Sequence, residues 1–284
     1  MSSITAEQIK ELRERTGVGL GKCKAALVES GGDIEKAIEE LRKAGVASAV
    51  KKESRATNEG RIEAIETADG IALVEMNAET DFVVNNDRFG AFQKELVADV
   101  AEGKFTSAED FLASTSKRDS SKTIDDERKE LISVLGENIV ISRVMYMPKQ
   151  SNASYGIYSH MGGKIMCVVE LSGAAGEESF AKEIGMHVAA EAPEYLSSEE
   201  VPAETKAKEE EIAKSQVDGG KKPAEIVEKI IQGKVRAFFD QVCLLNQKYI
   251  KDNALSVAQF VDNHGKELGK DIKVTKFIRW QLGN

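Results

Sequence analysis

The sequence predicts an α+β protein in four parts: a three-helix N-terminal unit, two related core subdomains that each join a small antiparallel sheet to helices, and a helical hairpin inserted into the second. Three observations carry this prediction. Apolar residues recur at helical spacing through residues 1–45, then alternate over residues 61–66 and run apolar over 71–76. The stretch Phe92-Gln93-Lys94-Glu95-Leu96-Val97-Ala98-Asp99-Val100-Ala101 matches Phe180-Ala181-Lys182-Glu183-Ile184-Gly185-Met186-His187-Val188-Ala189 in its Phe, Lys, Glu, Val and Ala; each follows a strand with Val-Glu, at Val74-Glu75 and Val169-Glu170. Residues 197–247 break the pattern with two helical stretches around Asp218-Gly219-Gly220, the first highly charged and the second carrying Ile226, Val227, Ile230, Val235, Phe238, Phe239 and Val242. The expected boundaries are 1–54 for the helical unit and its linker, 55–144 for the first core subdomain, 145–196 and 248–284 for the two parts of the second, and 197–247 for the hairpin.

Composition narrows the function. A chain of 284 residues, 41% hydrophobic and 31% charged, has the profile of a soluble globular protein with room for two or three cores. No apolar run approaches the roughly 18–20 residues of a membrane span. Met1-Ser2-Ser3-Ile4 lacks the basic and apolar regions of a secretory signal, so a cytoplasmic location is expected. The three cysteines, Cys23, Cys167 and Cys243, are far apart and form no CxxC pair, which argues against a disulfide framework or a zinc site. A formal net charge of −9 favours a protein partner over nucleic acid.

Each element has a local reason. Thr5 and Gln8 make a capping-box pattern, with Ile4 and Ile9 at staple spacing. Gly17, Gly19 and Gly21 interrupt the first helix; the second spans residues 22–30 and ends at Gly31-Gly32. Asp33 caps the third, with Ile34, Ala37, Ile38 and Leu41 on one face and Gly45 as its stop. Residues 46–60, with Lys51, Lys52 and Arg55, read as a linker. Ala68-Asp69-Gly70 turns the first strand pair. Asp87 is placed to cap a helix bearing Phe89, Phe92, Leu96, Val97 and Val100. After an irregular stretch, Thr123 and Asp126 cap a helix to Leu135, and a strand opens at Ile139. Residues 155–160 and 164–171 form a hairpin around Met161-Gly162-Gly163, followed by a helix over 178–192. Ser198-Glu199-Glu200 leads the first helix of the insertion, and Pro223 starts the second. A helix over 256–268 and a strand over 272–280 complete the second subdomain.

Catalytic chemistry has little support. The chain holds no GxxxxGK[ST], HExxH or GxSxG motif. His160, His187 and His264 lack metal-ligand spacing, and His187 reads as a buried structural histidine beside Phe180 and Ile184. Gly162-Gly163 fits a hairpin turn better than a phosphate loop. No catalytic residue, metal or cofactor is expected. The stretch between the second strand and the Phe89 helix stands out, because it sets Phe82 beside Asp81 in a polar connection. Phe82 is either a core plug with Asp81 a turn residue, or the two form an exposed wedge for a partner.

Five stretches decide between these readings. In chain order they are Leu12-Arg13-Glu14-Arg15-Thr16-Gly17, Thr80-Asp81-Phe82-Val83 followed by Asn86-Asp87 and Phe89, Gly136-Glu137-Asn138-Ile139, Tyr158-Ser159-His160-Met161-Gly162-Gly163, and Met186-His187-Val188-Ala189-Ala190. Together they resemble the bacterial elongation factor Ts family. The resemblance implies a guanine-nucleotide exchange factor that binds elongation factor Tu in its GDP-bound and nucleotide-free states, without bond chemistry of its own. It gives Thr80, Asp81, Phe82 and Val83 the part of pushing between helices of the partner's G domain and dislocating its Mg²⁺. It sets His160, Met161, Gly162 and Gly163 against the partner's distal barrel domain. The N-terminal helices resemble a ubiquitin-associated fold and match the family's N-terminal domain. Val18 and Leu20 in their first turn are then exposed contacts, unless they simply close the small core.

The insertion resembles the family's helical hairpin, which serves dimerisation or other contacts, so a homodimer through it is an expectation. No membrane and no direct nucleic-acid contact is implied. Two departures bear on the partner. The chain stops at Gly283-Asn284, where some family members continue into a C-terminal helix that contacts the partner, and position 21 is Gly where a larger side chain is common, which weakens the expected N-terminal contact. The alternative is a protein- or RNA-binding module with a ubiquitin-associated-like domain and no exchange activity.

Overall fold

Capping and apolar spacing set the N-terminal helices of the computed structural model, which describes residues 4–217 and 223–283. The turn expected at Asp218-Gly219-Gly220 lies outside the described residues, as do Met1-Ser2-Ser3 and Asn284. The helices are α1 (Ala6–Thr16), α2 (Leu20–Glu29) and α3 (Ile34–Val50). The Thr5 hydroxyl accepts from the Gln8 amide at 3.2 Å, and Gln8 Oε1 accepts from the Thr5 amide at 3.0 Å. Ile4 and Ile9 pack on a small core of Leu12, Val18, Cys23, Leu27, Ala37 and Leu41. Asp33 caps α3 through the Lys36 amide.

The chain divides into two compact units, one running through Lys149 and taking in Leu282 and Gly283, the other Gln150–Gln281. In the first unit, β1 (Glu59–Glu66) and β2 (Gly70–Ala78) are followed by α4 (Asp81–Val84), α5 (Asp87–Gly103), α6 (Ala108–Ala113), α7 (Ile124–Leu135) and β3 (Ile139–Pro148). The sheet is antiparallel in the order β1-β2-β3, and the central strand β2 is buried at every position. Helix α5 lays Phe89, Phe92, Leu96 and Val100 on it, and Phe111, Ile132 and Ile139 complete the core.

In the second unit, β4 (Ala153–His160), β5 (Ile165–Ser172) and, after a long excursion, β8 (Lys273–Gln281) form an antiparallel sheet with β5 in the centre. Between them come α8 (Glu178–Glu191), α9 (Ala203–Ser215), α10 (Ala224–Val242), the short pair β6 (Lys248–Tyr249) and β7 (Asp252–Ser256), and α11 (Val257–Leu268). Phe180, Ile184 and Val188 of α8 pack with Val169, Leu171, Val257 and Val261. The chain is thus of the α+β type, with antiparallel sheets.

Several local expectations are corrected. Gly45 does not stop α3, which runs on to Val50 and takes the start of the expected linker into the helix. A methyl group at Gly45 would lie 2.8 Å from Ser133 Oγ, so the glycine lets α3 approach α7 rather than ending it. Helix α2 starts at Leu20 and carries Gly21 inside it. Asn86, not Asp87, caps α5, by accepting from the Arg88 amide at 3.0 Å. Helix α9 starts after Pro202 rather than at Ser198, because Glu200 folds back to accept the Leu196 amide at 2.8 Å. The β6–β7 pair has no counterpart in the sequence reading; strands of two and five residues are too short for a clear periodic signal.

Candidate functional site

The site begins where β2 runs out. After Ala78 the chain makes a single helical turn, α4, and enters α5 through the Asn86 cap, so the segment expected as a loop is helical. Thr80 starts the turn: its Oγ1 accepts from the Val83 amide at 3.4 Å. The same hydroxyl donates to Glu137 Oε1 at 2.7 Å, and the Thr80 amide donates to Glu137 Oε2 at 2.9 Å. The neighbouring residues return the exchange. Glu79 Oε1 accepts from the Asn138 amide at 2.6 Å and from Arg55 Nη1 at 3.3 Å, and Asn138 Nδ2 donates to the Arg55 carbonyl at 2.9 Å.

The turn has two faces. Val83 and Val84 are buried in the core of the first unit. Asp81 is exposed, and Phe82 is 85% exposed. The core plug is therefore the valine pair, and Phe82 stands in water. Asp81 also sits in the first turn of a helix, where a negative charge faces the helix dipole favourably.

The other expected contacts separate by burial. Of the two readings left open for this turn, Val18, 6% exposed, closes the small N-terminal core and is not an exposed contact, while Leu20 is 50% exposed. Val18 turns inward because Gly17, at φ +70°, ends α1 and reverses the chain over Cys23, whose Sγ donates to the Val18 carbonyl at 3.3 Å. A side chain at Gly17 would meet the Arg88 guanidinium at 1.7 Å, so Arg88 of α5 lies directly over this turn.

In the second unit, the β4–β5 tip presents His160, Met161 and Gly162 to solvent, while Gly163 is buried. Met161 is 67% exposed at φ +50°. The Gly163 amide donates to the His160 carbonyl at 3.2 Å, and His160 Nδ1 is 3.0 Å from the Tyr158 hydroxyl.

His187 and the cysteines lie away from solvent. His187 is fully buried: its Nδ1 accepts from the Ile250 amide at 3.3 Å, which leaves Nε2–H to donate to Gln247 Oε1 at 3.0 Å. Burial lowers its pKa below the ordinary histidine value. All three cysteines are free and buried, and burial pushes the Cys167 thiol up to about 12. Among the described residues, no group of three or more His, Cys, Asp or Glu is placed to hold a metal ion. No helix there is long and apolar enough to cross a membrane.

Residue reading missed the anchor of the turn. Gly136-Glu137-Asn138-Ile139 stood out only as a motif; the Thr80–Glu137 contact spans 57 positions and leaves no periodic trace. The one signal was that an acid and an amide follow a helix-ending glycine, with Gly136 at φ +87°.

A family model described as Elongation factor TS matches residues 79–284. Proteins named "Elongation factor Ts" are similar over the whole chain: that of Protochlamydia amoebophila (strain UWE25) is 52% identical over 283 residues, covering 100% of both chains. Those of Chlamydia caviae and Chlamydia pneumoniae are 47% and 46% identical, again over 100% of both chains.

Proposed function

The chain belongs to the elongation factor Ts family of translation elongation factors, and from that premise we propose that it is a guanine-nucleotide exchange factor for elongation factor Tu. The observation that carries the reading is Phe82, a large aromatic left 85% exposed on a turn whose two ends are fixed.

An exchange factor makes and breaks no bonds. It binds the nucleotide-free partner more tightly than the nucleotide-bound one, and linkage then weakens nucleotide binding by the same factor. The partner holds its nucleotide through a phosphate loop and Mg²⁺. On this reading Phe82 enters between helices of the G domain, Asp81 adds charge beside the Mg²⁺ shell without ligating the ion, and Thr80 and Val83 hold the turn. The three N-terminal helices are read as a ubiquitin-associated-like domain that offers Leu20 to the partner, with Val18 supporting it from the core. His160, Met161 and Gly162 form a second contact, with Gly163 setting their turn. The α9–α10 hairpin, which leaves Ile212 and Ile226 exposed, is read as a contact arm for a second copy of the chain. The cytoplasm is the corresponding location.

The test is release of a fluorescent GDP from elongation factor Tu. Catalytic amounts of the chain are expected to accelerate release, and rising free Mg²⁺ to oppose it, because metal and factor favour different partner states. Unchanged release, or micromolar GDP binding to this chain alone by calorimetry, would overturn the reading. A pull-down that recovers polyubiquitin or RNA in place of a GTPase would favour the binding-module alternative.

A further inference from the structure

A single helical turn does not hold itself. Fixing the first turn costs several dihedral angles for one hydrogen bond, and α4 has no second turn to offset that cost. Its C-terminal end is held by burial of Val83 and Val84. Its N-terminal end is held by polar contacts, and these converge on Glu137. The carboxylate accepts hydrogen bonds from both the amide and the hydroxyl of Thr80, at 2.9 and 2.7 Å, and the same hydroxyl accepts from the Val83 amide. The result is a chain of bonds from the Val83 amide through the Thr80 hydroxyl to a charged acceptor, in which each bond polarises the next. Glu137 itself is fixed between the αL cap Gly136 and β3, while Asn138 beside it is tied to Glu79 and to the Arg55 carbonyl.

We propose that Glu137 is a positioning residue for nucleotide exchange: by holding Thr80 it keeps the α4 turn formed in the free protein, so that Phe82 meets the partner already aimed. The inference rests on the exchange reading above. Its direct consequence, a preformed turn, is measurable without any partner. Glu137 acts through Thr80, the residue it bonds.

The experiment compares Glu137→Ala, Glu137→Gln, Thr80→Ala and the double variant Glu137→Ala/Thr80→Ala in the full chain, with Phe82→Ala as reference. Amide hydrogen exchange at Val83 and Asn85 is read in the free proteins, and GDP release from elongation factor Tu is read across factor concentration. Glu137→Ala is expected to lose protection at Val83 and to slow release at saturating factor about tenfold, the scale of one hydrogen bond to a charged group. The half-saturating concentration, set by the rest of the interface, should move less. Glu137→Gln, which keeps one acceptor, should recover part of both. The double variant should lose less than the sum of the two singles, because the bond between the Thr80 hydroxyl and Glu137 is common to both.

Unchanged Val83 protection in Glu137→Ala overturns the proposal, as does full additivity in the double variant. If Glu137→Ala is partly unfolded at the assay temperature, Glu137→Gln carries the comparison, and wild-type protection and release in it overturn the proposal. Loss of Val83 protection with slowed release in Phe82→Ala but not in Glu137→Ala overturns it while leaving the exchange reading intact. Wild-type release by Phe82→Ala removes the exchange reading itself.

Discussion

Twice the chain passes from a buried central strand to the helix that packs on it, and the two crossings are built differently. The units around them are alike. Each has three antiparallel strands, β1-β2-β3 in one and β4-β5-β8 in the other, with a helix of matching sequence across the central strand. Each central strand carries Val-Glu, and the ladder slips just after the glutamate, at Glu75/Met76 and Glu170/Leu171. Both glutamates are held across the sheet: Glu75 by Arg143 at 2.8 Å, Glu170 by the Tyr155 hydroxyl at 2.9 Å.

The second crossing, from Gly173 to Glu177, is short and leaves only the small residues Ala175 and Gly176 exposed. A side chain at Gly173 would strike the Asp271 carbonyl at 2.1 Å, Ala174 is fully buried, and Glu177 is held by His264 Nε2 at 3.0 Å. The first crossing, from Glu79 to Asn86, adds the α4 turn and sets Phe82 in water. The fold can therefore make this connection without an exposed aromatic. An exposed Phe gains nothing from burial in the free protein, and on the proposed reading its place in the first crossing is explained by a partner.

The largest expected effects test the shared part of this comparison. Phe89→Ala in the first unit and Phe180→Ala in the second remove rings from the two cores, and each should cost about 3–5 kcal/mol in denaturant unfolding. A small loss at either position would show that the two helices do not pack equivalently.

A smaller effect separates the units by pH. All three histidines lie in the second unit, and only His187 is fully buried. Its folded pKa is depressed by burial, so the unfolded chain takes up a proton first as pH falls below about 6.5. Stability should therefore fall as pH drops from about 6.5 toward 5, by about 1.4 kcal/mol for each unit of depression. That window lies above the ordinary carboxylate range of about 4. His187→Gln, which keeps a hydrogen-bonding side chain without the titration, should flatten the slope. A wild-type chain as stable at pH 5.5 as at pH 7.5 would contradict the assignment.

Much of this architecture was legible where one residue determines one bond. Thr5 with Gln8 and Thr123 with Asp126 each make the capping box that their spacing predicts. The Met161-Gly162-Gly163 turn and the burial of His187 could also be read directly. The failures share a cause, since each depends on a contact made elsewhere in the fold. Gly45 reads as a helix stop until Ser133 is seen against it, and the burial of Val18 stays open until Cys23 is seen bonded to its carbonyl. At the site, the exposure of Phe82 was open on pattern alone, and the family resemblance favoured the wedge. What the residues did not reveal was the means of holding it, because Glu137 reaches Thr80 from the far end of α7.

The central claim is that Phe82 serves a partner and not the fold. Paired measurements on Phe82→Ala test it most directly: thermal unfolding of the free protein, and stopped-flow release of fluorescent GDP from elongation factor Tu. The account predicts stability within about 0.5 kcal/mol of wild type, as for a surface substitution. It predicts a loss of about thirtyfold or more in stimulated release, the scale of an aromatic anchor worth about 2 kcal/mol. A variant that loses several kcal/mol of stability, or one that melts normally and releases GDP at the wild-type rate, would contradict it.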